Sequence, residues 1–118
     1  MLHPLSRRGD FKKVFELGSK FSSKYLVIYA RPNGLSFSRL GLSVSKKIGN
    51  AVVRNRIKRL LREALRKQLM TKSVRYDFVL VARSASLQAG LADLSGELAR
   101  AFAGLVNEND IDSNNQVI

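Results

Sequence analysis

RLGLSVSKKIGNAVVRNRIKRLLREALRK, residues Arg39 to Lys67, decides the fold because its hydrophobic period changes in the middle. Over Arg39 to Ser45 it reads as a strand. Leu40, Leu42 and Val44 share one face, while Gly41, Ser43 and Ser45 leave the other small and smooth. Ile48-Gly49-Asn50 breaks that pattern, and Asn50 stands where a helix N-cap belongs. A helix to about Leu69 follows. At about 100° per residue, Ile57, Leu60, Leu61, Ala64 and Leu65 fall in an arc of roughly 140°. Lys58, Arg59, Arg62 and Arg66 crowd an opposite arc of roughly 100°, with Asn55 among them. One side of this helix can be buried while the other presents guanidinium groups to a polyanion.

Upstream, Arg8 to Leu17 places Phe11, Val14 and Phe15 at helical spacing, with Gly18 positioned to end the helix as a C-cap. Asp10 falls in its first turn. Phe21 to Arg31 is rich in β-branched and aromatic residues and reads as a strand, or as a strand region bent into two pieces. Pro32-Asn33-Gly34 reads as a turn that makes the next strand its antiparallel neighbour. Downstream, Val74 to Arg83 is apolar on both faces in its middle, as expected of an interior strand. Leu91, Leu94, Leu98, Phe102 and Leu105 mark a last amphipathic helix. The expected architecture is α+β: a two-layer sandwich of an antiparallel or mixed sheet, in the order α-β-β-(β)-α-β-α, with helices covering one sheet face. Residues 1–106 are expected to form a single domain that binds a polyanion, and polar, acidic 107–118 a disordered tail.

Charge narrows the function. Residues 1–83 carry 20 Lys or Arg against 4 Asp or Glu, whereas residues 84–118 carry 1 against 5. A field this strong and lopsided points to a nucleic-acid partner. There is no cysteine, which excludes disulfides and thiolate metal sites. His3 is the single histidine and lies near a terminus expected to be mobile, which leaves no zinc cluster and no histidine-based triad. No apolar run approaches the roughly 18 residues of a spanning helix, so no membrane role and a cytoplasmic location are expected. Only Asp10, Glu16, Glu63 and Asp77 precede residue 84, and Glu63 is expected to pair with Arg59, Arg66 or Lys67. A nuclease site with two metals needs convergent carboxylates, which this distribution does not supply.

Binding chemistry is better provided for. Planar Arg forks grip phosphate oxygens, and Lys46 and Lys47 precede the helix start, where backbone N–H groups attract anions. Phe11 and Phe15 form one helical stripe; they are core residues or part of a shallow aromatic surface, together with Tyr29, on which unpaired bases stack.

The run from Arg39 to Leu65 closely resembles the signature of the bacterial ribonuclease P protein subunit, whose Arg-Asn-Arg motif matches Arg54, Asn55 and Arg56. DFKKVFELG (Asp10 to Gly18), LVIYA (Leu26 to Ala30) and YDFVLVAR (Tyr76 to Arg83) resemble further segments of that family in the same order. The resemblance implies a subunit that assembles with a catalytic RNA and promotes removal of the 5′ leader from precursor tRNA. The RNA performs the hydrolysis with magnesium ions that it mainly holds itself, and DNA is not an expected partner. It also implies that Lys46, Lys47, Arg54, Asn55, Arg56, Lys58, Arg59 and Arg62 face the catalytic RNA, that Phe11, Phe15 and Tyr29 line the leader cleft, and that no residue here is catalytic. A left-handed βαβ crossover around the basic helix, in a fold shared with a ribosomal-protein domain, is a further implication. A generic ribosomal-type RNA-binding protein without a processing role is the alternative reading.

Overall fold

Asn50 starts the basic helix as expected: its side-chain oxygen accepts from the Val53 N–H at 3.0 Å, satisfying one of the donors that a helix start leaves free. The computed structural model describes residues 2–106; the expected tail, 107–118, lies outside the described residues. In chain order the elements are β1 (Leu2–Pro4), α1 (Arg8–Leu17), β2 (Ser19–Ser22), β3 (Leu26–Pro32), β4 (Ser38–Ser43), α2 (Ala51–Met70), β5 (Tyr76–Ala82), a short 3₁₀ helix (Ser84–Gln88) and α3 (Leu91–Leu105). The strands form one mixed sheet in the order β1-β4-β5-β3-β2.

The turn at Pro32-Asn33-Gly34 does not make β3 and β4 neighbours. β5 lies between them, antiparallel to β3 and parallel to β4. The hydrogen bonds of the turn explain this. The Asn33 backbone N–H donates to the Arg75 carbonyl, and its side-chain amide donates to Asp77 Oδ1 at 2.9 Å, so the turn is tied to β5 and closes no hairpin. Leu35 N–H donates back to the Asn33 side chain at 2.8 Å, and Gly34 supplies the positive φ of 69° that the bend requires. The central position suits β5, since its residues are buried on both faces.

Those two apolar faces also divide the helices. Leu26, Ile28, Ala30, Leu40, Phe78 and Leu80 pack with Ile57, Leu61 and Leu65 of α2 and with Leu94, Leu98 and Phe102 of α3. Val79 and Val81 point the other way, into a smaller cluster with Val14 and Phe11 of α1, Tyr29 and Leu5. Helices therefore do not share one sheet face: α1 covers the face opposite α2 and α3. A strand buried on both sides needs a cover on both sides.

Three local expectations change. β1 has no counterpart in the sequence reading, because three residues are too few to show a period; it pairs parallel with β4 at the sheet edge, where Pro4 is tolerated. His3 is consequently held in a strand, its ring centred 4.0 Å from that of Phe37. The first strand region is bent into two pieces, as the sequence allowed: β2 and β3, paired antiparallel. Gly18 does end α1, donating its N–H to the Val14 carbonyl, but its φ of −79° is extended backbone. Glycine is required there by crowding: a Cβ would lie 2.5 Å from the Val14 carbonyl oxygen and 3.0 Å from that of Ala30.

Candidate nucleic-acid interface

The buried stripe of α2 is Ile57, Leu61, Ala64 and Leu65, which turns the charged arc outward. Asn55, Arg56, Arg59, Arg62 and Arg66 are exposed, and Lys58 is half-buried. Arg54 is the exception within the Arg-Asn-Arg phrase: it is half-buried and its guanidinium donates to the Gly49 carbonyl at 3.1 Å, fastening the helix to the preceding turn. Exposed Lys46 and Lys47 belong to that turn, which buried Ile48 anchors to the core and Ser45 closes by accepting from the Lys47 and Ile48 N–H groups. The lysines thus stand directly ahead of the positive end of the helix dipole.

Glu63, the one acid of α2, pairs with Arg66 at 2.9 Å. Lys58, Arg62 and Arg66 repeat at i, i+4, where each like-charged pair costs an isolated helix about 0.2–0.5 kcal/mol. A polyanion laid along this face removes that repulsion. The three cations also border a groove of about 570 Å³ against the β1–β4 edge, with His3, Pro4, Leu40 and Leu42 on its other side.

On the opposite sheet face, α1 and β3 bring together the three aromatics singled out from sequence. Phe11 and Phe15 have ring centroids 6.4 Å apart, and Phe15 meets Tyr29 edge-on at 4.8 Å. Phe15 is 42% exposed, whereas Phe11 and Tyr29 are half-buried. Val14 is the fully buried residue of α1, Phe11 and Tyr29 pack partly buried beside it, and Phe15 is the ring that reaches the surface. Phe11 rests directly over Gly41 of β4, the small smooth face noted in the sequence. A Cβ on Gly41 would stand 2.4 Å from the Phe11 ring, so Gly41→Ala displaces that ring. This substitution is expected to perturb Phe11 and Phe15 ring resonances by NMR while leaving those of α3 in place.

Sequence reasoning missed the cations around these rings. Lys20 sits opposite Tyr29 in the β2–β3 register, with its ammonium 5.8 Å from the ring centroid. Arg39 lies on the same side of β4 as Gly41 and forms a two-pronged bond to Asp77, through Nε at 2.8 Å and a terminal nitrogen at 2.6 Å, while reaching Asp10 of α1 at 3.3 Å. The Asp77 hydrogen bond, chiefly, and the nearby Asp77 and Asp10 charges raise the Arg39 pKa above its ordinary value against a smaller opposing effect of burial. A raised cation pKa contributes stability at all pH below the unfolded value, so this group adds no pH dependence in the neutral range. The period-two pattern puts Arg39 on the face of Gly41 and Ser43, but its partners, 29 and 38 residues away, are visible only in the fold.

Among the described residues most carboxylates pair with groups of the protein itself, Glu16 only loosely with Lys12 at 3.9 Å. Asp10 and Asp77 face Arg39, Glu63 faces Arg66, Asp93 accepts from the Gly90 N–H, and Glu97 accepts from the Tyr25 N–H and Arg100. Among the described residues no group of three His, Asp or Glu side chains converges to hold a metal ion. No helix among the described residues is long and apolar enough to cross a membrane.

A family model described as Ribonuclease P matches residues 2–106. The chain is 42% identical over 108 residues to the ribonuclease P protein component of Clostridioides difficile, covering 91% of both chains. It is also 42% identical to that of Caldanaerobacter subterraneus, covering 84% of this chain and 85% of the relative. Among solved structures, the Staphylococcus aureus RNase P protein superposes with a TM-score of 0.76 at 30% identity, covering 89% of this chain and 98% of its own. The protein from Thermotoga maritima gives 0.73 at 30% identity, covering 84% and 94%.

Proposed function

As the chain belongs to the ribonuclease P protein family, and is thus a protein subunit of the ribonucleoprotein endoribonuclease of tRNA 5′ maturation, we propose that it works as a two-sided adaptor in which α2 docks the catalytic RNA and the aromatic surface of α1 and β3 receives the 5′ leader of precursor tRNA. Partnership with the RNase P RNA comes with membership of the family, whose chemistry the RNA carries. The observation behind the division of labour is the placement of the two surfaces on opposite faces of one sheet. On the α2 side Lys46, Lys47, Asn55, Arg56, Lys58, Arg59 and Arg62 meet phosphates, and Arg54 holds the turn that presents them. On the other side Phe11, Phe15 and Tyr29 offer ring faces to unpaired bases, with Lys20 beside them for the strand's phosphates. Magnesium ions belong to the RNA in this reading, and the expected compartment is the cytoplasm.

Reconstitution with the cognate catalytic RNA tests it. At near-physiological magnesium, cleavage of precursor tRNA is expected to rise strongly when the chain is added, and the chain alone is expected to cut nothing. Phe15→Ala separates the two faces. It is expected to weaken leader-bearing substrate roughly fivefold to tenfold, within the range for losing one stacked base, and to leave leaderless tRNA unchanged. Equal losses on both substrates, or loss of assembly with the RNA, would reassign Phe15 to the core.

A further inference from the structure

At the C-terminal end of α2 the cationic groove does not stop. It shares Leu2 and Arg66 with a second pocket of about 420 Å³, a size within the usual range of small-ligand sites, about 300–1,000 Å³. Its apolar lining includes Leu2, Phe37, Leu69 and Met70, and its cations are Arg66, Lys72 and Arg75; no acid lines it. Met70 is 78% exposed, so its thioether is open to a partner at the mouth of the pocket.

We propose that this pocket is a base-binding subsite for the RNA partner, taking one unstacked nucleobase while Arg66, Lys72 and Arg75 hold the adjoining phosphates. The proposal rests on the reading of α2 as the RNA-docking helix, and carries that surface beyond the Arg-Asn-Arg phrase to the β1 edge. Two observations favour RNA as the occupant. Among the described residues three cations and no acid line the pocket, with Arg66 also paired to Glu63, and it is continuous through Arg66 with the row Lys58, Arg62 and Arg66, whose members rise about 6 Å per step along α2. A duplex offers this pocket sugars, phosphates and base edges but no base face, which leaves the apolar lining without a stacking partner. An extruded base supplies a π face that fits it, and a thioether adapts to any of the four bases.

The chain has no cysteine, so Met70→Cys creates a unique attachment point for a short photo-crosslinker. Arg59→Cys, on the outer face of α2, serves as the reference. Both labelled proteins are assembled with the cognate catalytic RNA and the crosslinked nucleotides are mapped. The expected result is that position 70 reaches a nucleotide unpaired in the RNA, distinct from those reached by position 59. The unlabelled variant Met70→Ser is expected to weaken assembly roughly threefold to tenfold with no change in the salt slope, as loss of an uncharged stacking contact requires. Crosslinks from position 59 but none from position 70, crosslinks from 70 only to paired nucleotides, or capture of a second copy of the chain would each overturn the subsite while leaving the docking helix standing. Silence at both positions would overturn the two together.

Discussion

Arg39→Ala is expected to lower the unfolding free energy by about 3 kcal/mol, the low end of the cost of removing one member of a buried ion pair, because the Arg39 side chain stays 23% exposed. The carboxylate left behind is the reason. Asp77 is 4% exposed, and without Arg39 it retains only the Asn33 amide as a charge-neutral donor. Urea titration should show the midpoint moving with little change in slope, and the thermal midpoint should fall by more than about 10 °C for a domain of this size. A second variant separates charge from packing. Arg39→Met combined with Asp77→Leu removes both charges and keeps apolar bulk, so it should recover a large part of the loss. Equal losses in the single and double variants would show that the unpaired Asp77 charge is not the source of the loss. The same residue fixes α1 through Asp10, so the single variant should also weaken leader binding at temperatures where the protein remains folded.

The second large effect concerns RNA assembly. Arg59→Ala with Arg62→Ala removes two exposed guanidinium groups from the outward arc of α2 without touching its buried stripe. Each phosphate contact contributes about 0.9 to the slope of log K against log salt on duplex DNA, taken here as a guide for RNA. The slope should therefore flatten by about 1.8, and affinity at low salt should drop by at least about tenfold, as two charge-assisted hydrogen bonds imply. Stability in the absence of RNA should be unchanged or slightly higher, because Arg62 stands four residues from both Lys58 and Arg66. An unaltered salt slope would place the RNA on another surface.

How far the sequence carried this reading depends on the range of the interaction concerned. α2, its Asn50 cap and the central character of β5 were legible because each rests on a local pattern: a helical period, a capping side chain, a run apolar on both faces. The smooth face of β4 was legible too, although its purpose was not. Nothing near Gly41 in sequence says that Phe11, thirty residues earlier, lies on it. The β3–β4 pairing was misread for the same reason. Pro32-Asn33-Gly34 has the composition of a hairpin turn, but Asn33 spends its amide on Asp77, and only the assembled sheet reveals that partner. Long-range bonds also explain the missed roles of Arg39 and Lys20, while β1 escaped because three residues carry no period.

The place of β5 has a consequence for how the molecule comes into being. It is the last strand to be synthesised and the middle one of the sheet, so β3 and β4 have no neighbour in common until residues 76–82 have left the ribosome. Before that moment α2 has no completed surface on which to bury Ile57, Leu61 and Leu65. Formation of such distant pairings is slow compared with helix growth, and the nascent chain up to residue 75 is densely cationic while a large pool of ribosomal RNA surrounds it. The topology thus delays the packed, presented form of the basic helix until the sheet is finished.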